Sequence, residues 1–247
     1  MTRPALLLLL AVLLAGCGAK DEPTLPPFTA AEDAVAETAV AETAAPSRPA
    51  GRYLTARVLA PTMLRAAPGG RVLHRIGRRT EFGSRRVLSV TRRRGGWLRV
   101  IASERPNGRA GWIPEARVRL ASTDLSVHVD RSARRLTLRR DGRAVRTFAV
   151  AVGRPGTETP TGRFAITDKL HPADPASPYG CCALALSGHQ TKLIPGWPGG
   201  DRLAIHATPQ LESVGRAASL GCMRGHPRDV RRLMRTVPVG TPVFIRA

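Results

Sequence analysis

The 247-residue sequence predicts a mostly β protein in two folded parts, with one clear amphipathic helix near the C-terminus. Three observations carry that expectation. Short runs alternate apolar and polar side chains with a period of two, the mark of strands buried on one face. Gly-Gly, Asn-Gly and Asp-Gly steps separate the runs and supply the positive-φ positions that tight hairpins need. A single stretch, Val230, Leu233, Met234 and Val237, repeats at i, i+3, i+4 and i+7. Composition excludes other classes: 21 prolines and 24 glycines lack a three-residue period, and four cysteines are too few for a disulfide scaffold. With 43% hydrophobic and 23% charged residues the chain is not wholly disordered.

The first element reads as an address. Arg3 precedes an unbroken apolar run over 6–14, well short of the roughly 20 residues a membrane-spanning helix needs. The run ends in Leu14-Ala15-Gly16-Cys17, which resembles the lipobox of bacterial lipoproteins. That resemblance implies a signal peptide over 1–17, with Cys17 acylated as the mature N-terminus, and an exported, membrane-anchored chain facing the cell wall. Residues 18–51 are rich in Ala, Thr, Pro and acids and poor in large apolar side chains, so they are expected to be a disordered tether.

The charge is strongly positive, 39 Lys+Arg against 18 Asp+Glu, and 36 of the basic residues are Arg. A field of that sign draws in polyanions and anionic ligands. The arginine bias is also what genome composition alone would give. For an exported chain, peptidoglycan stem peptides with free carboxylates and anionic wall polymers are the expected partners, and nucleic acid is not.

Residues 52–120 hold apolar runs at 56–59, 63–65, 71–76, 87–91, 97–101, 110–113 and 118–120, turned at Gly69-Gly70, Gly95-Gly96 and Asn107-Gly108. The spacing predicts a small barrel. The phrases around Met63-Leu64-Arg65, Gly96-Trp97-Leu98 and Gly111-Trp112-Ile113 resemble bacterial SH3-like domains. Trp97 and Trp112 are expected to plug the barrel rather than form a ligand platform.

Residues 123–247 open with Leu125, Val127 and Val129 alternating, then a hairpin turned at Asp141-Gly142 between Leu136/Leu138 and Val145 to Val152. A loop over 153–162, with two prolines and three glycines, precedes a strand at 163–167. A further apolar strand at 202–205 leads to His206. Pro227 suits a first helical position and Asp229 the first turn; Pro238 and Gly240 end the helix before a closing strand at 242–245.

Three groups stand out chemically: His206 at a strand end, Ser219, and Cys222 just after Gly221 in a turn leading toward the helix. There backbone N–H groups can converge on an oxyanion. A thiol with an ordinary pKa near 8.5 is mostly protonated at neutral pH, so it needs a base such as an imidazole. A buried inert cysteine is the alternative. No pair among His171, His189, His206, His226 and the cysteines has the usual short ligand spacing, so no metal and no cofactor is expected.

His206-Ala207-Thr208, a gap, then Ser219-Leu220-Gly221-Cys222-Met223-Arg224 resembles the active-site motif of the L,D-transpeptidase catalytic domain of the YkuD type. The 153–162 loop, the 174–188 stretch and Pro238 to Val243 also resemble that family. The resemblance implies a β-sandwich catalytic domain in which Cys222 is the nucleophile, His206 the base, the Ala207 carbonyl its orienter and the Gly221 N–H an oxyanion donor. Arg224, Ser219 and Tyr179 become candidate substrate contacts; Ser219 is preferred as a brace for the turn, Arg224 has packing against the loop as its alternative, and Tyr179 and His189 either line the cleft or, by preference, serve structure. The activity implied is transpeptidation of peptidoglycan stem tetrapeptides through a thioester. The alternatives are an L,D-carboxypeptidase or another peptidoglycan hydrolase using the same Cys, and a non-catalytic wall-binding lipoprotein. Leu220 stands where many members carry His, and Ala207 where Gly is usual. Cys181-Cys182 is unusual: the two are buried, paired elsewhere or near the site.

Overall fold

The computed structural model describes residues 52–174, 176–196 and 200–247, which fall within one compact unit. The expected signal with Cys17 and the expected tether over 18–51 lie outside the described residues.

Seven strands form the N-terminal sheet: β1 (Tyr53–Val58), β2 (Thr62–Arg65), β3 (Val72–Ile76), β4 (Val87–Arg94), β5 (Trp97–Ile101), β6 (Gly111–Pro114) and β7 (Val118–Thr123). Their order is β3-β2-β6-β5-β4-β1-β7, with every pair antiparallel. Gly95 and Gly96 both have positive φ, 51° and 75°, the conformation a two-residue hairpin between twisted strands requires. Leu64, Ile76, Leu88, Val90, Leu98, Val100 and Ile113 fill the core. The two tryptophans do not plug it. Both are half-buried, while their neighbours Leu98 and Ile113, paired across β5 and β6, are fully buried. Side chains alternate faces along a strand, so burying Leu98 and Ile113 turns Trp97 and Trp112 the other way.

The second part contains β8 (Leu125–Asp130), β9 (Arg135–Arg140), β10 (Arg143–Gly153), β11 (Gly162–Leu170), β12 (Ala183–His189), β13 (Arg202–Ala207), β14 (Ala217–Ser219), β15 (Met223–Gly225), α1 (Pro227–Thr236) and β16 (Pro242–Arg246). The sheet order is β14-β10-β15-β13-β12-β11-β16-β8-β9. The long β10 pairs with β9 along its first half and with β15 and β14 along its second, so both ends of the order meet on it. α1 starts with Pro at its first position and lays Val230, Leu233 and Met234 on the core. Each such side chain contributes roughly 1.5–3 kcal/mol of burial.

β12, β14 and β15 are absent from the sequence reading. β12 is almost wholly buried, and its residues Ala-Leu-Ala-Leu-Ser-Gly-His show no polar face to mark it. A Cβ at Gly188 would stand 2.5 Å from the Phe164 ring, so glycine at that position admits the ring. β14 and β15, three residues each, are too short for any period to register.

The two sheets are bonded to each other. The Asn107 amide donates to the His189 carbonyl at 2.6 Å and accepts from the His189 N–H at 2.9 Å. The His189 ring lies 2.9 Å from the Asp201 carboxylate and 2.6 Å from the Ser103 carbonyl. Thr80 donates to the buried Asp168 carboxylate. His189 is thus a pin at the junction, the structural alternative to a place in the cleft lining.

Candidate active site

β13 carries His206 to the edge of a cleft, and β15 runs parallel beside it with Arg224 in register with His206. Cys222 immediately precedes β15. The His206 Nδ1–H donates to the Ala207 carbonyl at 2.6 Å, and the Ala207 N–H donates in turn to the Cys182 carbonyl at 3.0 Å. A carbonyl can only accept, so the proton sits on Nδ1 and Nε2 keeps a lone pair. Tyr179 meets the imidazole edge-on, ring centroids 4.9 Å apart. Gly180 makes that approach possible: its φ is +59°, and a Cβ there would stand 2.9 Å from the Ala207 Cβ. Burial pushes the His206 pKa down to about 4, the Ala207 hydrogen bond works against that shift, and the Arg224 charge adds to it.

The Cys222 turn is held almost entirely by polar groups buried around it. Ser219 Oγ donates to the Cys222 carbonyl at 2.6 Å and accepts from the Gly221 N–H at 3.0 Å. Thr159 Oγ1 donates to the Gly221 carbonyl at 2.7 Å, and the Arg154 N–H and Thr157 hydroxyl both donate to the Ser219 carbonyl. Gln190 Nε2 ties the carbonyls of Thr157 and Leu220 together at 3.1 and 2.8 Å. The loop over 153–162 is therefore a brace for the nucleophile's turn. Gly221 has φ +120°, and a Cβ there would fall 2.1 Å from Gln190 Nε2, so only glycine fits. Burial raises the Cys222 thiol pKa, against which a hydrogen bond from the Ala204 backbone and the Arg224 charge both act.

Cys222, His206, Ser219, Tyr179 and Arg224 all line one cleft. One role changes. The Gly221 N–H, expected to meet an oxyanion, is engaged by Ser219, whose hydroxyl is spent on both ends of the turn, the bracing role preferred for it over substrate contact. Arg224 donates to Gln210 at the cleft rim at 3.0 Å. Cys181 and Cys182 are free, with sulfurs 2.6 Å apart, and burial chiefly pushes Cys182 up to about 12.

Gln190, Thr159 and Arg202 are the site residues that sequence reasoning missed. A threonine in a loop and a glutamine after a buried strand carry no pattern; only the fold aims them. Arg202 lines the cleft, and its carbonyl lies 3.9 Å from the Cys222 sulfur. Its guanidinium is anchored by Thr167 Oγ1 and the Leu186 carbonyl, pairs with Glu81, and lies 5.6 Å from the centre of the Phe82 ring. Burial holds it down to about 10. Glu81 and Phe82 belong to the loop between β3 and β4, so the N-terminal part reaches a residue of the cleft wall.

A thiol, a tautomer-fixed imidazole and a braced glycine turn share one cleft, an arrangement chemically able to carry an acyl group on sulfur. The family model for the L,D-transpeptidase catalytic domain (YkuD) matches residues 124–245. "Putative L,D-transpeptidase YkuD" of Bacillus subtilis (strain 168) is 36% identical over 119 residues, which are 48% of this chain and 64% of that protein. "Putative L,D-transpeptidase YqjB" of the same organism is 30% identical over 132 residues, 49% of this chain and 71% of that protein. A solved L,D-transpeptidase from Mycobacterium smegmatis is similar at 20% identity and TM-score 0.40, over 56% of this chain and 73% of that one. The chain belongs to the L,D-transpeptidase (YkuD) family, and the match spans 64% of the length of the first of these relatives.

Proposed function

We propose that the chain is a cysteine-dependent L,D-transpeptidase acting on peptidoglycan stem tetrapeptides, exported and lipid-anchored at Cys17. The observation that carries this reading is the His206 Nδ1–Ala207 carbonyl bond, which leaves the Nε2 lone pair for the cleft that Cys222 shares. With the thiol pKa raised and the imidazole pKa lowered, both groups rest neutral at pH 7. Proton transfer then accompanies attack instead of preceding it.

In the proposed step Nε2 takes the thiol proton as sulfur bonds to the carbonyl carbon between the third residue and the terminal D-Ala. The Cys222 N–H stabilises the oxyanion. The C–N bond breaks, the imidazolium returns its proton to the departing D-Ala amine, and a thioester remains. A side-chain amine from a second stem attacks that thioester, gives its proton to Nε2, and releases the thiol with a crosslink between third residues. Arg224 is the group for the donor's terminal carboxylate and Tyr179 a wall of the site. No metal or cofactor enters any step. The N-terminal sheet is the SH3-like part of this reading and holds the enzyme against the wall and its anionic polymers.

The test incubates the purified chain with muropeptide tetrapeptides and follows products by mass. Dimers joined through third residues are expected. Free D-Ala and tripeptide without dimers would replace this reading with an L,D-carboxypeptidase. A carbapenem is expected to add to the intact protein and not to Cys222→Ala; an unreactive wild-type chain would leave only a wall-binding lipoprotein.

A further inference from the structure

We infer that the N-terminal sheet carries an arginine-lined anion site that takes a closely spaced series of phosphates, as in a polyphosphodiester chain. Residues 52–120 contain 17 arginines, no lysine, no aspartate and three glutamates. All three glutamates are committed: Glu81 to Arg202, Glu104 to Arg86 and Glu115 to Arg93. The remaining positive charge of this sheet has no carboxylate of its own to meet.

Four of those arginines, Arg57, Arg78, Arg79 and Arg85, surround one cavity of about 750 Å³. Arg79 and Arg85 face each other as an antiparallel bridge, the arrangement in which like charges directly opposite destabilise a sheet. Among the described residues, Arg57, Arg78 and Arg85 form no ion pair. Arg79 spends one N–H on the Gly83 carbonyl at 2.6 Å.

The cluster is held in place by its backbone. The Arg86 N–H donates to the Arg78 carbonyl at 2.8 Å, and the Val58 N–H to the Arg86 carbonyl at 3.0 Å, which stitches the 78–86 segment to the end of β1 where Arg57 sits. Buried Arg86 fixes the same segment from beneath, donating to the carbonyls of Gly77 and Arg79 at 3.0 and 2.9 Å and pairing with Glu104 at 2.6 Å. One arginine is thus spent on fixing the backbone from which four others line the cavity, three of them without an ion pair among the described residues. A fixed backbone keeps the four guanidinium groups close together, and guanidinium forks favour planar multi-oxygen anions.

A ligand that answers four clustered positive charges in this volume must carry several negative charges at short spacing. Consecutive phosphates do; the scattered carboxylates of a peptide do not. The site is a half-open depression, along which a polymer segment can lie. None of the cleft residues lines it, so the proposal stands or falls apart from the acyl-transfer reading.

The test is calorimetric titration of the full chain with inorganic tripolyphosphate and with a glycerol-phosphate oligomer. The expected result is binding of both, weakened about tenfold or more in the triple variant Arg57→Gln/Arg78→Gln/Arg85→Gln. A variant with equal loss of charge on the helix, Arg228→Gln/Arg232→Gln/Arg235→Gln, is expected to bind within about twofold of the wild type. Circular dichroism on both variants checks that they fold. Equal weakening in the two variants would reduce the effect to net charge and overturn the site. Citrate binding as tightly as tripolyphosphate would overturn the phosphate class. Binding of phosphatidylglycerol vesicles with no uptake of either phosphate probe would make the cluster a membrane contact and overturn the polymer.

Discussion

The two sheets of this molecule treat their polar groups in opposite ways. Around Cys222, the hydroxyls of Ser219, Thr157 and Thr159 and the Gln190 amide are all buried, and each bonds a backbone group of the nucleophile's turn or of the loop braced against it. Around Arg57, Arg78 and Arg85, charged groups stand in an open cavity with no ion pair among the described residues. Satisfied buried networks over-determine one geometry, as a reacting site demands. Unsatisfied charge on a fixed frame stays available to a partner. The difference sets a part whose polar groups are spent on one geometry against a part whose charges are left open, within one chain of a single overall charge sign.

The largest effect is expected where the catalytic turn is most over-determined. Gly221→Ala forces an L side chain into φ +120° and a Cβ onto Gln190 Nε2. The turn must shift, and a displacement near 1 Å at a reacting atom costs about 100-fold in rate. Carbapenem acylation measured by stopped-flow is expected to fall by at least that factor while the protein stays folded by circular dichroism. An unchanged rate would show that the turn is not what aims the sulfur. No comparable loss is expected from glycine-to-alanine changes at the N-terminal hairpins, since a Cβ at Gly95 or Gly96 meets nothing within 4 Å.

Next comes pH. His206 titrates near 4 in the folded chain and near 6.5 when exposed, so between those values the unfolded state binds more protons and stability rises with pH. Stability should be full above pH 6.5 and lost progressively down to pH 4, by about 3 kcal/mol in all. Denaturant titrations at pH 4 and pH 7 measure this, and His206→Asn should remove most of the difference. Acylation should reach half its plateau near pH 4, because that is where the base loses its lone pair. A midpoint near 6.5 would mean an imidazole open to water, and the contrast between a sealed catalytic sheet and an open N-terminal one would fail.

How much of this was legible follows the same division. Every hairpin of the N-terminal sheet announced itself through alternation and glycine turns, because its strands are half-buried and locally paired. Cys222 and His206 were singled out by a family resemblance, since a Cys and a His sixteen residues apart carry little by spacing alone, and the structure sets both on one cleft. Thr159 and Gln190 were not, since their bonds to Gly221 and Leu220 span 62 and 30 residues and depend on where β12 and the 153–162 loop end. The parallel pairing of β13 with β15 was equally silent: a three-residue strand has no period, yet it sets Arg224 beside His206. Trp97 and Trp112 misled because aromatic residues are usual core anchors, and here Leu98 and Ile113 on the alternate face took that place.

The smallest expected effect tests whether the two sheets are separable. Asn107→Ala leaves the His189 N–H and carbonyl without their side-chain partner at a half-buried junction, which costs about 1–3 kcal/mol of stability. The denaturant midpoint should drop with an unchanged slope, because the same surface is exposed on unfolding. Acylation should stay within about twofold of wild type, since neither His189 nor Asn107 lines the cleft and the substitution removes only bonds to the His189 backbone. The opposite outcome, stability intact and acylation down about tenfold, would mean that the junction acts on the cleft, through Gln190 and Asp201 beside His189 or through Arg202, which Glu81 and Phe82 hold. The N-terminal sheet would then be part of the catalytic apparatus, and its arginine cavity a place from which a bound polyanion could alter the rate.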